Sequence, residues 1–379
     1  MSSLYYRILL FLGIIVVMIC GSSTSTSTSP QQSSSAASVV NAGIEKRTDN
    51  DDDVVVRRTP VRVRVYLVRH GESASNKWGL IAGQDDVPLT TNGIEEAKNL
   101  GRKSKYLQQN NNVLPFVRVY SSDLSRARDT AIYALREGRK KVRNIESQEE
   151  GNVNDSDLEN DFLLLSQLII QDERLRERSY GYRQGFPRIM NDDEIQDIWK
   201  QYGIEPPLYE TDDDLWKRGK DWLIDVLTQI QTMIQLERKF QFTTSTNNDA
   251  DKKNNDDGNN SLPPTTKQMT TTTYHVLAVA HSGLIREIIL HLIPSKDELI
   301  AMDAKFDTKK KGKSKLIIPN TSVTILEFEL LDGNKAFINE NESSESATSE
   351  SSASSLLHHV KLIELTNAKH LDTVNAYDD

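Results

Sequence analysis

The sequence is short of cysteine, of apolar residues and of basic charge, and each shortage removes a class of protein. Cys20 is the only cysteine in 379 residues. A chain cut after it could form no disulfide and build no thiolate metal site. Apolar residues make up 37% of the chain, little for a globular protein of this length, and the deficit sits in polar tracts. The foldable part is therefore shorter than the chain. The formal net charge is −9, with acidic clusters such as Asp212–Asp214. A general nucleic-acid binder needs a basic face to displace counterions from phosphates, so no nucleic-acid partner is expected. A local basic pocket that attracts a small anion stays compatible with that balance. Long apolar runs are equally scarce. Ile8–Ile19 is the notable one, and it falls short of the ~20 residues that a membrane-spanning helix needs.

That run follows Arg7 and precedes Gly21, Ser22 and Ser23, the pattern of a signal peptide over residues 1–22. Left uncleaved it would act as a signal anchor, the one route by which a membrane becomes a partner. The expected destination is the secretory pathway, secreted or membrane-anchored. Asn154, Asn259, Asn320 and Asn341 each begin an Asn-x-Ser/Thr sequon. Residues 23–60 read as a disordered Ser/Thr-rich and acidic linker. Further polar tracts near 146–161, 243–273 and 339–355 read as insertions without packed structure, since they bury too little apolar surface to offset ordering entropy.

Order is expected from Val61, where "VRVRVYLV" alternates apolar and arginine before becoming wholly apolar. Strands and helices then alternate. The helices are expected at "GIEEAKNLGRKSKYL", "DLSRARDTAIYALRE", "DDLWKRGKDWLIDVLTQIQTMI" and "SGLIREIILHLI"; the third sets Leu215, Trp222, Val226 and Ile230 on one face. Strands are expected at "FVRVYSS", "LIIQ", "HVLAVA", "TSVTILEFEL" and "HHVKLIEL". The pattern predicts a single three-layer α/β/α domain over 61–379, with a largely parallel central sheet.

Ligands of open α/β sheets gather beyond the carboxyl ends of strands. Arg69-His70-Gly71 follows the first strand, Arg126 opens the helix after Ser121-Ser122, and His281-Ser282-Gly283 follows "VLAVA". If those strands are neighbours, two histidines and two arginines converge, a set suited to a phosphoryl group. Each has a duller reading. His281 alone would be a hydrogen-bonded structural histidine, Arg126 a charge on a solvated helix face, and Glu177 in "ERLRER" part of an exposed ion-pair network. His275, His291, His358, His359 and His370 keep the structural or surface reading.

The segments "LVRHGES", "SSDLSRARDTA", "RLRERSYG" and "VAHSG" resemble, in order, the signature segments of the histidine phosphatase superfamily. They are most similar to the branch of cofactor-dependent phosphoglycerate mutases and related phosphatases. The likeness runs from about Val61 to "NAKHL" near the C-terminus, skipping the polar tracts, and "GQDDVPLTTNGIEEA" fits the first loop and helix. It implies a phosphoglycerate mutase-like fold and a metal-independent phosphatase that hydrolyses phosphate monoesters through a phosphohistidine. His70 would be the nucleophile, Glu177 the proton donor, and Arg69, Arg126 and His281 the phosphate pocket. Asn76 would add a contact, and Ser282, standing where glycine is usual, keeps its N–H available. No cofactor and no metal is implied, because side chains supply the cations.

Two departures separate the chain from mutases of that family. Ala82-Gly83-Gln84 stands where mutases carry Ser/Thr-Gly-Trp, and Ser282-Gly283-Leu284-Ile285-Arg286 where they read Gly-Asn-Ser-Leu-Arg. Both favour a phosphatase. The alternatives are a phosphoglycerate mutase-type phosphotransferase, a membrane-anchored protein phosphatase, and a catalytically silent binding protein of the same fold. The last should have lost His70, His281 or Glu177, and all three are present. The segment from Tyr182 to Glu210 is expected to form a lid, whose acidic residues argue against very highly charged substrates.

Overall fold

The first strand explains the architecture. In β1 (Val61–Arg69) the side chains of Val61, Val63, Val65 and Leu67 belong to one apolar core, and Tyr66 and Val68 to another. Alternation along a strand sends successive side chains to opposite faces, so this strand is covered on both sides. The first core is completed by Trp222, Leu223, Ile285 and Ile288, the second by Leu100, Ala131 and Leu135. These residues lie on α5 (Asp212–Ala250) and α6 (Ser282–Leu292) for one face, and on α2 (Thr91–Lys103) and α3 (Ser125–Glu146) for the other. The result is the expected three-layer α/β/α arrangement.

The remaining elements are α1 (Ala74–Lys77), β2 (Arg118–Ser121), β3 (Ile169–Gln171), α4 (Asp192–Tyr202), β4 (Thr272–Ala280), α7 (Lys296–Ala301), the short pair β5 (Phe306–Asp307) and β6 (Lys315–Leu316), β7 (Val323–Leu330) and β8 (Val360–Asn367). The main sheet has the order β3-β2-β4-β1-β7-β8. Strands β1 to β4 run parallel, and β7 lies antiparallel to both β1 and β8. Arg62 and Arg64, the wet residues of β1, face Glu327 of β7, with Arg64 Nε 2.7 Å from its carboxylate. The register of β1 on β4 pairs Arg69 with Ala280. His70 and His281, each the next residue, therefore emerge side by side.

The structure, a computed structural model, describes residues 61–107, 115–146, 163–203, 205–250, 272–307, 315–330, 355–357 and 359–371. All belong to one compact unit, Arg57–Asp379. The expected leader and linker, the sequons at Asn154, Asn259 and Asn341, His358 and most of the three polar tracts lie outside the described residues. At their borders the tracts differ from expectation: α3 includes Glu146, α5 runs on to Ala250, and β4 begins at Thr272. Helix propagation adds one hydrogen bond per residue, so a helix can continue beyond its apolar stripe. Among the described residues no helix is long and apolar enough to cross a membrane.

Candidate active site

Where β1 ends, the backbone is locked on several sides. The N–H of His70 bonds the Ala280 carbonyl at 3.0 Å, and that of Gly71 bonds Thr130 Oγ1 of α3, also at 3.0 Å. A side chain at Gly71 would bring its Cβ within 2.5 Å of the Gly93 carbonyl oxygen in α2. Glycine follows the histidine because a helix N-terminus passes too close for anything larger.

The His70 ring sits 4.9 Å, centroid to centroid, from that of His281, tilted by 57°. Its Nδ1 lies 2.6 Å from the Gly71 carbonyl oxygen. A carbonyl only accepts, so Nδ1 carries the proton and Nε2 keeps its lone pair. Burial, then the guanidinium groups of Arg69 and Arg126, hold this imidazole well below its ordinary pKa. His281 is depressed likewise, by burial first and then by Arg126 and His70. Both rings are thus neutral at physiological pH.

Arg126 is almost fully buried, in the first turn of α3, and donates to the carbonyls of Asp85 at 2.7 Å and Gly83 at 2.8 Å. The solvated-face reading fails for it. Arg69 donates to the Ile318 carbonyl at 2.6 Å, and burial lowers its pKa to about 10. Among the described residues, Arg69 Nε and both ring nitrogens of His281 are buried without a hydrogen-bond partner. Orphaned buried polar atoms are costly, so each calls for an explanation. Here they sit together, beside the neutral His70 ring.

Glu177 escapes the ion-pair network in which its sequence places it. Its neighbours Arg174 and Arg176 pair with Asp172, Asp225 and Asp123, whereas the buried Glu177 carboxylate accepts from the N–H groups of Arg178 at 2.8 Å and Gly283 at 3.0 Å and from Ser282 Oγ at 3.2 Å. It therefore rests on the N-terminus of α6, whose first backbone N–H groups lack partners within the helix. A Cβ at Gly283 would lie 2.1 Å from that carboxylate. From α5, Arg218 binds the Arg174, Arg176 and Glu177 carbonyls and so fixes the loop.

Arg69, His70, Asn76, Arg126, Glu177 and Ser282 all line one cavity of about 780 Å³, with the His281 ring against that of His70. Every residue singled out from the sequence is thus brought to one place. Asn76 has a second duty, since its side-chain oxygen accepts from Ser73 at 2.8 Å at the start of α1. Not foreseen were Arg183 and Arg188 from the lid segment, Arg286 from α6 and Lys315 from β6, which also line the cavity. Arg286 follows Ser282 by four residues, one helical turn, a spacing that could have singled it out. The lid acids expected to discourage highly charged substrates lie mostly away from the cavity. Asp193, Glu194 and Asp197 are exposed and do not line the cavity, and only Asp192 of that acidic group reaches it. Six cationic side chains (Arg69, Arg126, Arg183, Arg188, Arg286 and Lys315) line it against Glu177, Asp192 and Asp307.

Comparison with known proteins agrees with this picture. Residues 65–156 match the histidine phosphatase superfamily (branch 1). Fructose-2,6-bisphosphatase TIGAR of Xenopus tropicalis is 32% identical over 167 residues, 42% of this chain and 48% of that protein. The 2,3-bisphosphoglycerate-dependent phosphoglycerate mutase of Treponema denticola is 32% identical over 157 residues, 40% of this chain and 51% of that protein. The chain thus spans about half the length of these curated relatives. A phosphoglycerate mutase from Bacillus anthracis str. Sterne aligns in structure with a TM-score of 0.43 at 18% identity, covering 83% of this chain and 96% of that one. That likeness is loose, and the fold stands on the sheet order instead. The segments that carry the resemblance in sequence are those the sheet gathers around His70, and over residues 65–156 the chain matches branch 1 of the histidine phosphatase superfamily.

Proposed function

We propose that the protein is a metal-independent phosphatase that hydrolyses phosphate monoesters through a phosphohistidine on His70. The observation that carries this reading is a neutral imidazole with Nδ1 tied to Gly71, lining a cationic cavity beside Arg69 and Arg126. Nε2 attacks phosphorus, the P–O bond to the leaving group breaks, and the Glu177 carboxyl hands its proton to the departing alkoxide. Water then attacks the phosphohistidine and gives its proton to the Glu177 carboxylate. The P–N bond breaks and its electron pair returns to Nε2. Arg69, Arg126, His281 and Asn76 hold the equatorial oxygens, whose charge needs cationic neutralisation. The excess of arginines supports a substrate that carries negative charge beyond the reacting group, such as a second phosphate or a carboxylate. The residues that replace the mutase pattern, Ala82-Gly83-Gln84, support transfer to water over transfer to a second hydroxyl. We further propose that the leader routes the protein into the secretory pathway; Ile8–Ile19 found intact by N-terminal sequencing of the native protein would make it an anchor.

The test is release of inorganic phosphate from a generic aryl phosphate by the full chain. His70→Ala should abolish turnover, and vanadate should inhibit the unaltered enzyme. Glu177→Gln should slow alkyl esters by about 10²- to 10⁴-fold while barely touching aryl esters with good leaving groups, since only the former need the proton. Undiminished hydrolysis by His70→Ala would sink the assignment.

A further inference from the structure

We propose that His370, in the "NAKHL" segment, is a positioning residue for catalysis, pinning the turn that holds Arg69 and His70 in place. The sequence gives it a structural or surface reading, and it is in fact buried. Its Nε2 lies 2.8 Å from the hydroxyl of Thr321, a fully buried residue that joins Asn320 to Ser322 between β6 and β7. Thr321 adopts φ +50°, a left-handed conformation that a β-branched residue rarely takes without outside support.

The turn around Thr321 touches the site from behind. Its N–H faces the His70 carbonyl at 3.4 Å, and the Ser322 carbonyl accepts from the Arg69 N–H at 3.2 Å. The Ile318 carbonyl, at the start of the same stretch, holds the Arg69 guanidinium at 2.6 Å. Arg69 and His70 thus depend on a turn whose backbone adopts an unfavourable conformation and whose buried Thr321 side chain is tied to His370. His370 in turn is anchored through its carbonyl, which accepts from Lys103 at the end of α2 at 3.2 Å. Neither His370 nor Thr321 lines the cavity. Any effect on the chemistry must pass through Arg69 and the His70 backbone.

The inference rests on the reading of His70 as nucleophile and Arg69 as phosphate clamp. Loss of the bond lets Thr321 relax toward ordinary φ, which moves the carbonyls that aim Arg69. Substrate still meets Arg126, Arg188 and Arg286, so ground-state binding persists while the in-line geometry suffers. An error of about 1 Å in such an arrangement costs on the order of 10²-fold in rate.

Steady-state kinetics on an aryl phosphate and vanadate titration with the full chain test this. His370→Ala should lower kcat roughly 10- to 100-fold with KM changed less than about twofold, and weaken vanadate in parallel. His370→Gln, whose amide reaches the Nε2 position, should restore most of kcat. Thr321→Val, which removes only the hydroxyl, should reproduce the defect and serves if His370→Ala does not fold. Equal damage from His370→Ala and His370→Gln, or full activity in Thr321→Val, overturns the proposal. An unaltered enzyme that releases no phosphate overturns the functional reading alone; unchanged vanadate affinity in Thr321→Val then still overturns the positioning role.

Discussion

Two buried histidines that resist protonation have a consequence for stability. Both His70 and His281 are held below the ordinary imidazole value of about 6.5, with burial as the main cause. In the unfolded chain each takes up a proton as pH falls through that value, and in the folded chain neither does. The unfolded state then binds more protons, so folding stability must fall with pH below about 6.5, by up to ~1.4 kcal/mol per pH unit per histidine, until the folded pKa is reached. Urea unfolding at pH 7 and pH 5.5 should show this fall, and activity should persist below pH 6.5 because the nucleophile stays neutral. A flat stability profile would mean that both rings take up protons in the native state as readily as in the unfolded chain. The two histidines were legible in the sequence because each ends an apolar strand at a glycine-bearing loop. Arg188 and Lys315 were not, because a cation in a polar stretch looks the same whether a cavity or bulk water lies beside it.

At the level of elements, the long helix α5 carries both a core and a clamp. Leu215, Trp222, Val226 and Ile230 are all buried, and Arg218 reaches back to the loop that bears Glu177. Trp222 is fully buried and meets Tyr120 of β2 edge to face, with ring centroids 5.7 Å apart. Trp222→Ala should cost about 3–5 kcal/mol of stability, read as a drop in the urea midpoint, while kcat per folded molecule stays close to unaltered. The periodicity of this helix was plain in the sequence, since 3.6-residue spacing of large apolar side chains is a local property. Its extension to Ala250 was not, because polar residues that contribute no core can still propagate a helix. Strand order was hidden for a related reason. Alternation says that strands exist, whereas β4 lies between β1 and β2 because of crossover connections that no local pattern records.

For the whole molecule, the distribution of charge matters more than its sum. The chain carries −9 overall, yet its cavity is lined by six cations and three carboxylates. A funnel of that sign attracts small anions and loses its advantage as salt rises, since the Debye length shrinks from ~10 Å at 0.1 M to ~3 Å at 1 M. KM for a bisphosphorylated alcohol should therefore climb with sodium chloride more steeply than KM for its singly phosphorylated counterpart, since the second phosphate roughly doubles the charge. Parallel curves for the two would show that the outer arginines do not meet the substrate. Composition alone pointed to an acidic protein, and only the fold reveals that six of its basic residues line one concavity.

The register of the sheet carries one more consequence. β4 and β8 begin, and β7 ends, at or near the end of the sheet marked by Val61, whereas β2 and β3 begin about halfway along β1 and β4, and His70 and His281 stand at the opposite end. The polar tracts before β4 and β8 rejoin the described chain near that far end, so their length can vary without moving the strand ends that carry the two histidines. An engineer who wished to trim the chain for crystallisation, or to splice in a fluorescent reporter, would work there and leave the reaction centre alone.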